Sequence, residues 1–174
     1  MTRSPDRSTV TQPNEDPQDD TPADEHRGIA PGSIIVGHDG SSGADQALTL
    51  ALGLARDLAT PITVIRSWSI SNAPHPANYV TGSRRASLDP ATAVDVALVR
   101  DTASIVAKFP TVVTTYLEDR DVPQRSLPRL AQGARMLVVG SRGLGTVGGA
   151  VLGSVSAACV HRATFPVLVV PTAG

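Results

Sequence analysis

An apolar run, Met136-Leu137-Val138-Val139, leads straight into Gly140-Ser141-Arg142-Gly143, and nine residues separate Gly143 from Gly153-Ser154. A small-residue helical stretch then runs from Ser154 to Ala163. A strand, a glycine loop and a helix start are the parts of an anion site. Glycines bring backbone N–H groups close to oxygens and permit positive φ. The helix start adds unpaired donors and partial positive charge. The chemistry this favours is binding of a nucleotide phosphate, with the Ser154 hydroxyl as a further donor.

Two better-known glycine patterns do not fit. Gly143-x-Gly145-x-x-Gly148 spells a dinucleotide fingerprint, but that motif needs a following strand with an acid about 20 residues on. The next strand-like run is Val167-Leu168-Val169-Val170, and no acid follows Gly140. Gly148 to Gly153-Ser154 has P-loop glycine spacing without the lysine, and the only lysine of the chain is Lys108. A glycine turn that binds nothing stays open on spacing alone.

The spacing that remains, Gly-x2-Gly-x9-Gly-Ser, resembles the ATP-binding branch of the universal stress protein family. Leu152-Gly153-Ser154-Val155-Ser156, Phe165-Pro166-Val167-Leu168-Val169-Val170-Pro171 and Ile35-Val36-Gly37-His38-Asp39-Gly40-Ser41 extend the likeness to residues 32 to 171. The resemblance implies an α/β fold of the adenine-nucleotide α-hydrolase type: a doubly wound, five-stranded parallel sheet of order 3-2-1-4-5 with helices on both faces. It implies ATP as ligand, with Mg²⁺ or Mn²⁺, and a homodimer paired through the strand at 167–170.

It also implies roles. Asp39 accepts from a ribose hydroxyl or helps to hold a cation, although an Asp before Gly40 is also a common turn former. Backbone at Ser67 contacts adenine, next to Arg66, where many relatives carry His. Gly140, Gly143, Gly153 and Ser154, with Val155 and Ser156 at the helix start, hold phosphates. Arg142 either neutralises phosphate charge or is simply solvated. Arg135, which replaces an acid frequent in relatives, and Pro128 depart from the pattern outside the loop.

The elements that must position these residues alternate. Strands are expected at 33–37, 62–65, 112–117, 136–139 and 167–170. A helix follows Ser42-x-x-Asp45, which resembles a capping box, and ends before Thr60-Pro61. A second runs from Pro90 to Ala107, a third from Pro123 to about Gln132 with Pro128 inside, where proline shortens or kinks it. Alternation makes the sheet parallel with right-handed crossovers. In the implied order strands one and four adjoin, so Asp39 and Gly140 end on either side of the switch point, where ligands of such sheets bind. The aperiodic stretch 68–89 either covers that edge or is a disordered excursion.

Composition agrees. Hydrophobic residues make up 41% of 174 residues but aromatics only 3%, so the core is built of Val, Leu, Ile and Ala, as suits a covered parallel sheet. Net charge is −1, which gives no reason to invoke nucleic acid or a membrane surface. Residues 1–30 carry seven acids against Arg3, Arg7 and Arg27, with few large apolar groups, and are expected to be a disordered acidic tail ahead of a domain at 31–174. No apolar run is long enough to span a bilayer, no signal-peptide core is present, and the single Cys159 cannot form an internal disulfide. A cytoplasmic location is expected, with Cys159 a small core residue.

For reaction chemistry the sequence offers little. No Ser-His-Asp or Cys-His set appears, His26, His38, His75 and His161 are scattered, and no clamp and base for phosphoryl transfer can be assigned. The expectation is a regulatory adenine-nucleotide binder with slow or no hydrolysis. The alternatives are a protein-interaction module of the same fold that binds no nucleotide, and an enzyme cleaving ATP between the α- and β-phosphates.

Overall fold

The computed structural model describes residues 29–69, 89–144 and 152–172. Five strands, β1 (Ile34–Gly37), β2 (Ile62–Ser67), β3 (Thr114–Asp119), β4 (Met136–Gly140) and β5 (Val167–Val170), alternate with helices α1 (Ser42–Asp57), α2 (Pro90–Val106), α3 (Pro123–Leu130) and α4 (Ser154–Arg162). All strand pairs are parallel, in the order β3-β2-β1-β4-β5. The expected acidic tail lies outside the described residues apart from its last two positions. So does most of the 68–89 stretch.

Alternation along each strand sends neighbouring side chains to opposite faces. Ile34, Val36, Val64 and Val138 meet Leu48, Leu52 and Leu98 of α1 and α2 in one core. Ile35, Ile65, Leu137 and Val139 meet Leu127, Leu130 and Cys159 of α3 and α4 in the other. The sheet is thus covered on both faces, and β1 and β4 at its centre are almost wholly buried.

Three local features differ from expectation. The cap of α1 is Ser41, not Ser42: its Oγ accepts from the Ala44 N–H at 3.2 Å. Asp45 therefore closes no box and instead accepts from the His38 ring at 3.0 Å. β3 begins two residues late, at Thr114, because its start is set by pairing with Ile62 of β2 rather than by its own β-branched run. Val112 is instead drawn into a turn, its N–H donating to Phe109 O at 3.0 Å.

Pro128 stays within α3, which is only eight residues long. Its missing N–H deprives the Gln124 carbonyl of its helical donor, and Arg162 Nη1 of α4 reaches that carbonyl at 3.4 Å.

Candidate functional site

At the carboxyl ends of β1, β2 and β4 lies a cleft of about 820 Å³. All eight residues singled out from the sequence, Asp39, Ser67, Gly140, Gly143, Gly153, Ser154, Val155 and Ser156, line it. Residues 145–151 of the glycine loop lie outside the described residues.

β1 ends at Gly37, and the chain turns through His38 to Ser41 with Gly40 at φ +90°. That value favours glycine. The turn presents Asp39 at an exposed lip of the cleft. Oδ1 accepts from the Ser41 N–H at 3.0 Å, and Oδ2 accepts from the Leu144 N–H at 3.1 Å, across 105 residues. Partial burial pushes the carboxyl up, but the Ser41 hydroxyl and N–H and the Leu144 N–H outweigh it, so Asp39 lies below the usual carboxylate range and is ionised at neutral pH.

The glycines of the second loop serve close approach rather than unusual φ. Among the described residues, positive-φ glycines are Gly32, Gly40 and Gly133. The expected left-handed turning is therefore not found at Gly140, Gly143 or Gly153. A Cβ on Gly143 would collide with Asp39 Oδ2, and one on Gly140 would lie 2.9 Å from Gly43 O in α1. The two loops touch because these positions have no side chain.

Gly153 caps α4 with extended backbone, and no side chain occupies the cap. Its own N–H donates to Ser141 O at 2.7 Å, and helical bonding resumes with Ala157 N–H to Gly153 O at 2.9 Å. The N–H groups of Ser154, Val155 and Ser156 are those an α-helix leaves without intrahelical partners. The Ser156 hydroxyl is already used, donating to Ser141 O and Gly153 O at 3.1 and 3.0 Å, so this residue offers its backbone. Ser154 Oγ, by contrast, is exposed and accepts from Gln124 Nε2 at 3.3 Å. Its own proton is left to donate.

The Ser67 hydroxyl donates to Ser126 Oγ at 2.8 Å, which leaves its main chain for the cleft. Ile65 O faces β1, accepting from His38 N–H at 2.9 Å. In a strand the same side recurs two residues on, so the Ser67 peptide groups also face the β1 side. There the β1–β2 pairing has already stopped, at Gly37–Ile65. Ile65, Leu127 and Val139 form apolar wall nearby, with Trp68 beyond.

Sequence reasoning missed four residues. Ser141 is a buried knot: its N–H donates to Val170 O at 2.7 Å, its carbonyl takes both Gly153 N–H and Ser156 Oγ, and its Oγ accepts from Thr172 N–H at 3.0 Å. His38, Arg66 and Asp101 form a chain beneath the Asp39 turn. Arg66 donates to His38 O at 3.1 Å (Nε), to His38 Nδ1 at 3.1 Å (Nη2) and to Asp101 Oδ2 at 2.9 Å (Nη1). A guanidinium has no acceptor, so Nδ1 must accept and Nε2 carries the proton given to Asp45. Burial lowers the His38 pKa, the hydrogen bond to Asp45 opposes this, and the Arg66 charge lowers it again, so the ring is neutral at physiological pH. The one available signal was Arg66 itself, a charged residue directly after the β-rich run Ile62-Thr63-Val64-Ile65.

The fold and the cleft define a doubly wound α/β protein with a ligand crevice at its topological switch point. Residues 32–171 match the Universal stress protein family. The chain belongs to that family. It is 31% identical over 139 residues to universal stress protein Rv2623 of Mycobacterium tuberculosis, covering 78% of this chain and 44% of that relative. It is 28% identical over 137 residues to universal stress protein Rv2005c of the same organism, with the same coverage. The chain thus spans less than half the length of these curated relatives. Among solved structures, a universal stress protein in complex with cAMP superposes with a TM-score of 0.61 at 24% identity, over 83% of this chain and 99% of that one. The universal stress protein from Archaeoglobus fulgidus in complex with dAMP gives 0.54 at 20% identity, over 79% and 95%. Among the described residues no helix is long and apolar enough to cross a membrane.

Proposed function

We propose that this protein is an ATP-binding universal stress protein, a regulatory module in a stress response whose nucleotide state alters its shape or contacts and whose hydrolysis is slow or absent. The observation that carries the reading is the convergence on one cleft of an ionised Asp39, the Ser67 backbone and the uncapped start of α4. Helix-start donors suit phosphate oxygens, the carboxylate suits ribose hydroxyls, and the strand edge suits the hydrogen-bonding rim of adenine. Two relatives of the same fold are solved with adenine nucleotides, cAMP and dAMP, which supports an adenosine ligand. A divalent cation would arrive with the phosphates: among the described residues no group of three His, Cys, Asp or Glu could hold one.

Two charged side chains at the cleft support slow turnover, while Arg142, which also lines it, is left to meet phosphate charge. Arg66 is committed to Asp101, and the Asp39 carboxylate is held by two N–H donors, so neither is a free clamp or base for phosphoryl transfer. β5 is an edge strand with the sequence Val-Leu-Val-Val, which invites pairing with a second copy and a homodimer. Light scattering at micromolar concentration tests that, and a monomer throughout excludes it.

The test of the ligand is calorimetric titration of ATP, ADP, AMP and cAMP, with and without Mg²⁺ or Mn²⁺, plus analysis of nucleotide released from the heat-denatured protein. Binding of an adenine nucleotide that also raises the melting temperature is expected. No release and no binding would leave a protein-interaction module.

A further inference from the structure

We propose that Arg66, acting through His38, is the positioning residue that builds the nucleoside half of the crevice. This deepens the adenine-nucleotide reading above and rests on it. Were the β1–β2 ladder to continue past Gly37–Ile65, His38 O would accept the Ser67 N–H. Instead it accepts Arg66 Nε at 3.1 Å, and the ladder ends. The side chain of one β2 residue thereby occupies the carbonyl that would have claimed the backbone of the next.

The same guanidinium sets the acid. Nη2 donates to His38 Nδ1 at 3.1 Å, and that nitrogen also accepts from the Gly40 N–H at 3.3 Å. Gly40 lies directly over the pair: a Cβ there would sit 3.5 Å from Arg66 Nη2 and 3.6 Å from Asp101 Oδ2. The turn that carries Asp39 is therefore seated on the Arg66–His38 contact. Asp45 of α1 holds the far ring nitrogen at 3.0 Å, and Asp101 of α2 holds Nη1 at 2.9 Å. Lysine keeps the charge but does not reproduce this arrangement, because its ammonium lacks the planar fork that serves three acceptors at once.

The experiment compares two ligands on the full chain. Tripolyphosphate probes only the phosphate half of the cleft, and ATP probes both halves. Arg66→Met keeps the apolar stem and removes the fork. Its ATP affinity should fall about tenfold or more, the worth of one or two positioned hydrogen bonds, while its tripolyphosphate affinity stays within about twofold of wild type. Arg66→Lys, chosen because it retains the charge should Arg66→Met fold poorly, should lose ATP affinity likewise. Equal losses for both ligands, or no loss for ATP, would overturn the assignment. Amide exchange in the ligand-free protein judges the idea even if wild type binds neither ligand, which would sink the adenine-nucleotide reading instead. The Gly40 amide should be protected in wild type and exchange at least about tenfold faster in Arg66→Lys. Unchanged protection there would show that Arg66 does not hold the turn.

Discussion

Gly143→Ala tests how the two loops make one site. The added Cβ would fall on Asp39 Oδ2, so the carboxylate must move. It is the short, exposed end of a side chain and can do so, at the cost of its hydrogen bonds from Leu144 N–H and Ser41 N–H, at 3.1 and 3.0 Å. Charge-assisted bonds reach about 1.5–3 kcal/mol each when buried. At this exposed lip solvent screening cuts the pair to about 1–2 kcal/mol of folding stability in total. In the proposed ATP complex the effect on binding is larger in proportion, because the displaced carboxylate would no longer meet the ribose. Loss of about 1.5–3 kcal/mol there means roughly ten- to hundredfold weaker ATP binding. Calorimetric titration at pH 7.5 and urea unfolding measure the two separately. Gly53→Ala in α1 is the control: open space surrounds that position, so it should gain about 0.5–1 kcal/mol of stability and leave binding alone. ATP binding by Gly143→Ala within twofold of wild type would refute the idea that Asp39 is held against the glycine loop to face the ligand.

Three further outcomes are expected. Because His38 is held neutral below its ordinary pKa of 6.5, the unfolded chain binds the extra proton first. Its contribution to stability is complete above pH 6.5 and is lost as pH falls from there through the lowered folded value. Urea unfolding from pH 5 to 8 should show a slope that His38→Gln removes; an identical slope in the variant refutes it. Cys159 is buried, and burial pushes its thiol to about 11, so a thiol reagent at pH 8 should react slowly with the native protein and rapidly in urea. Fast labelling without unfolding would contradict its place in the core. Leu48 is fully buried at the centre of the α1 face, and Leu48→Ala should cost about 2–5 kcal/mol in the same urea assay, with a loss below about 1 kcal/mol counting against the packing described.

The alternation of apolar runs with helical periods made the strands and the parallel sheet readable, because both signals are local. The family likeness supplied the strand order. Boundaries that depend on a partner were not readable. β3 starts where Ile62 of β2 pairs with Thr114, and nothing within Val112-Val113-Thr114 announces that. At the start of α1, Ser41 caps through Ala44 N–H, and Asp45, the acid that looked like half of a box, is taken instead by a ring in the preceding loop. Glycines were legible as glycines, but their purpose was not. Whether a position lacks Cβ for φ or for clearance depends on what stands opposite, and for Gly143 that is a carboxylate about 100 residues away in sequence.

The same limit explains why the nucleoside half was harder to foresee than the phosphate half. The proposed phosphate half is a contiguous segment, a glycine cap and the first turn of the helix it opens, so glycine spacing together with the family likeness pointed to it. The proposed nucleoside half draws on residues 38, 39, 66, 67 and 101, which share no window of sequence and meet only because β1 and β2 are neighbours and Asp101 of α2 reaches Arg66. Arg66 shows how such a set is held together. A buried arginine is costly unless its donors are matched, and here they reach the main-chain carbonyl and the neutral imidazole of His38, after β1, and the Asp101 carboxylate of α2. His38 and Asp101 belong to segments on opposite sides of β2 in the chain, so the guanidinium is satisfied only when β1, β2 and α2 have all taken their places. The geometry of the Asp39 turn is thus tied to completion of the fold.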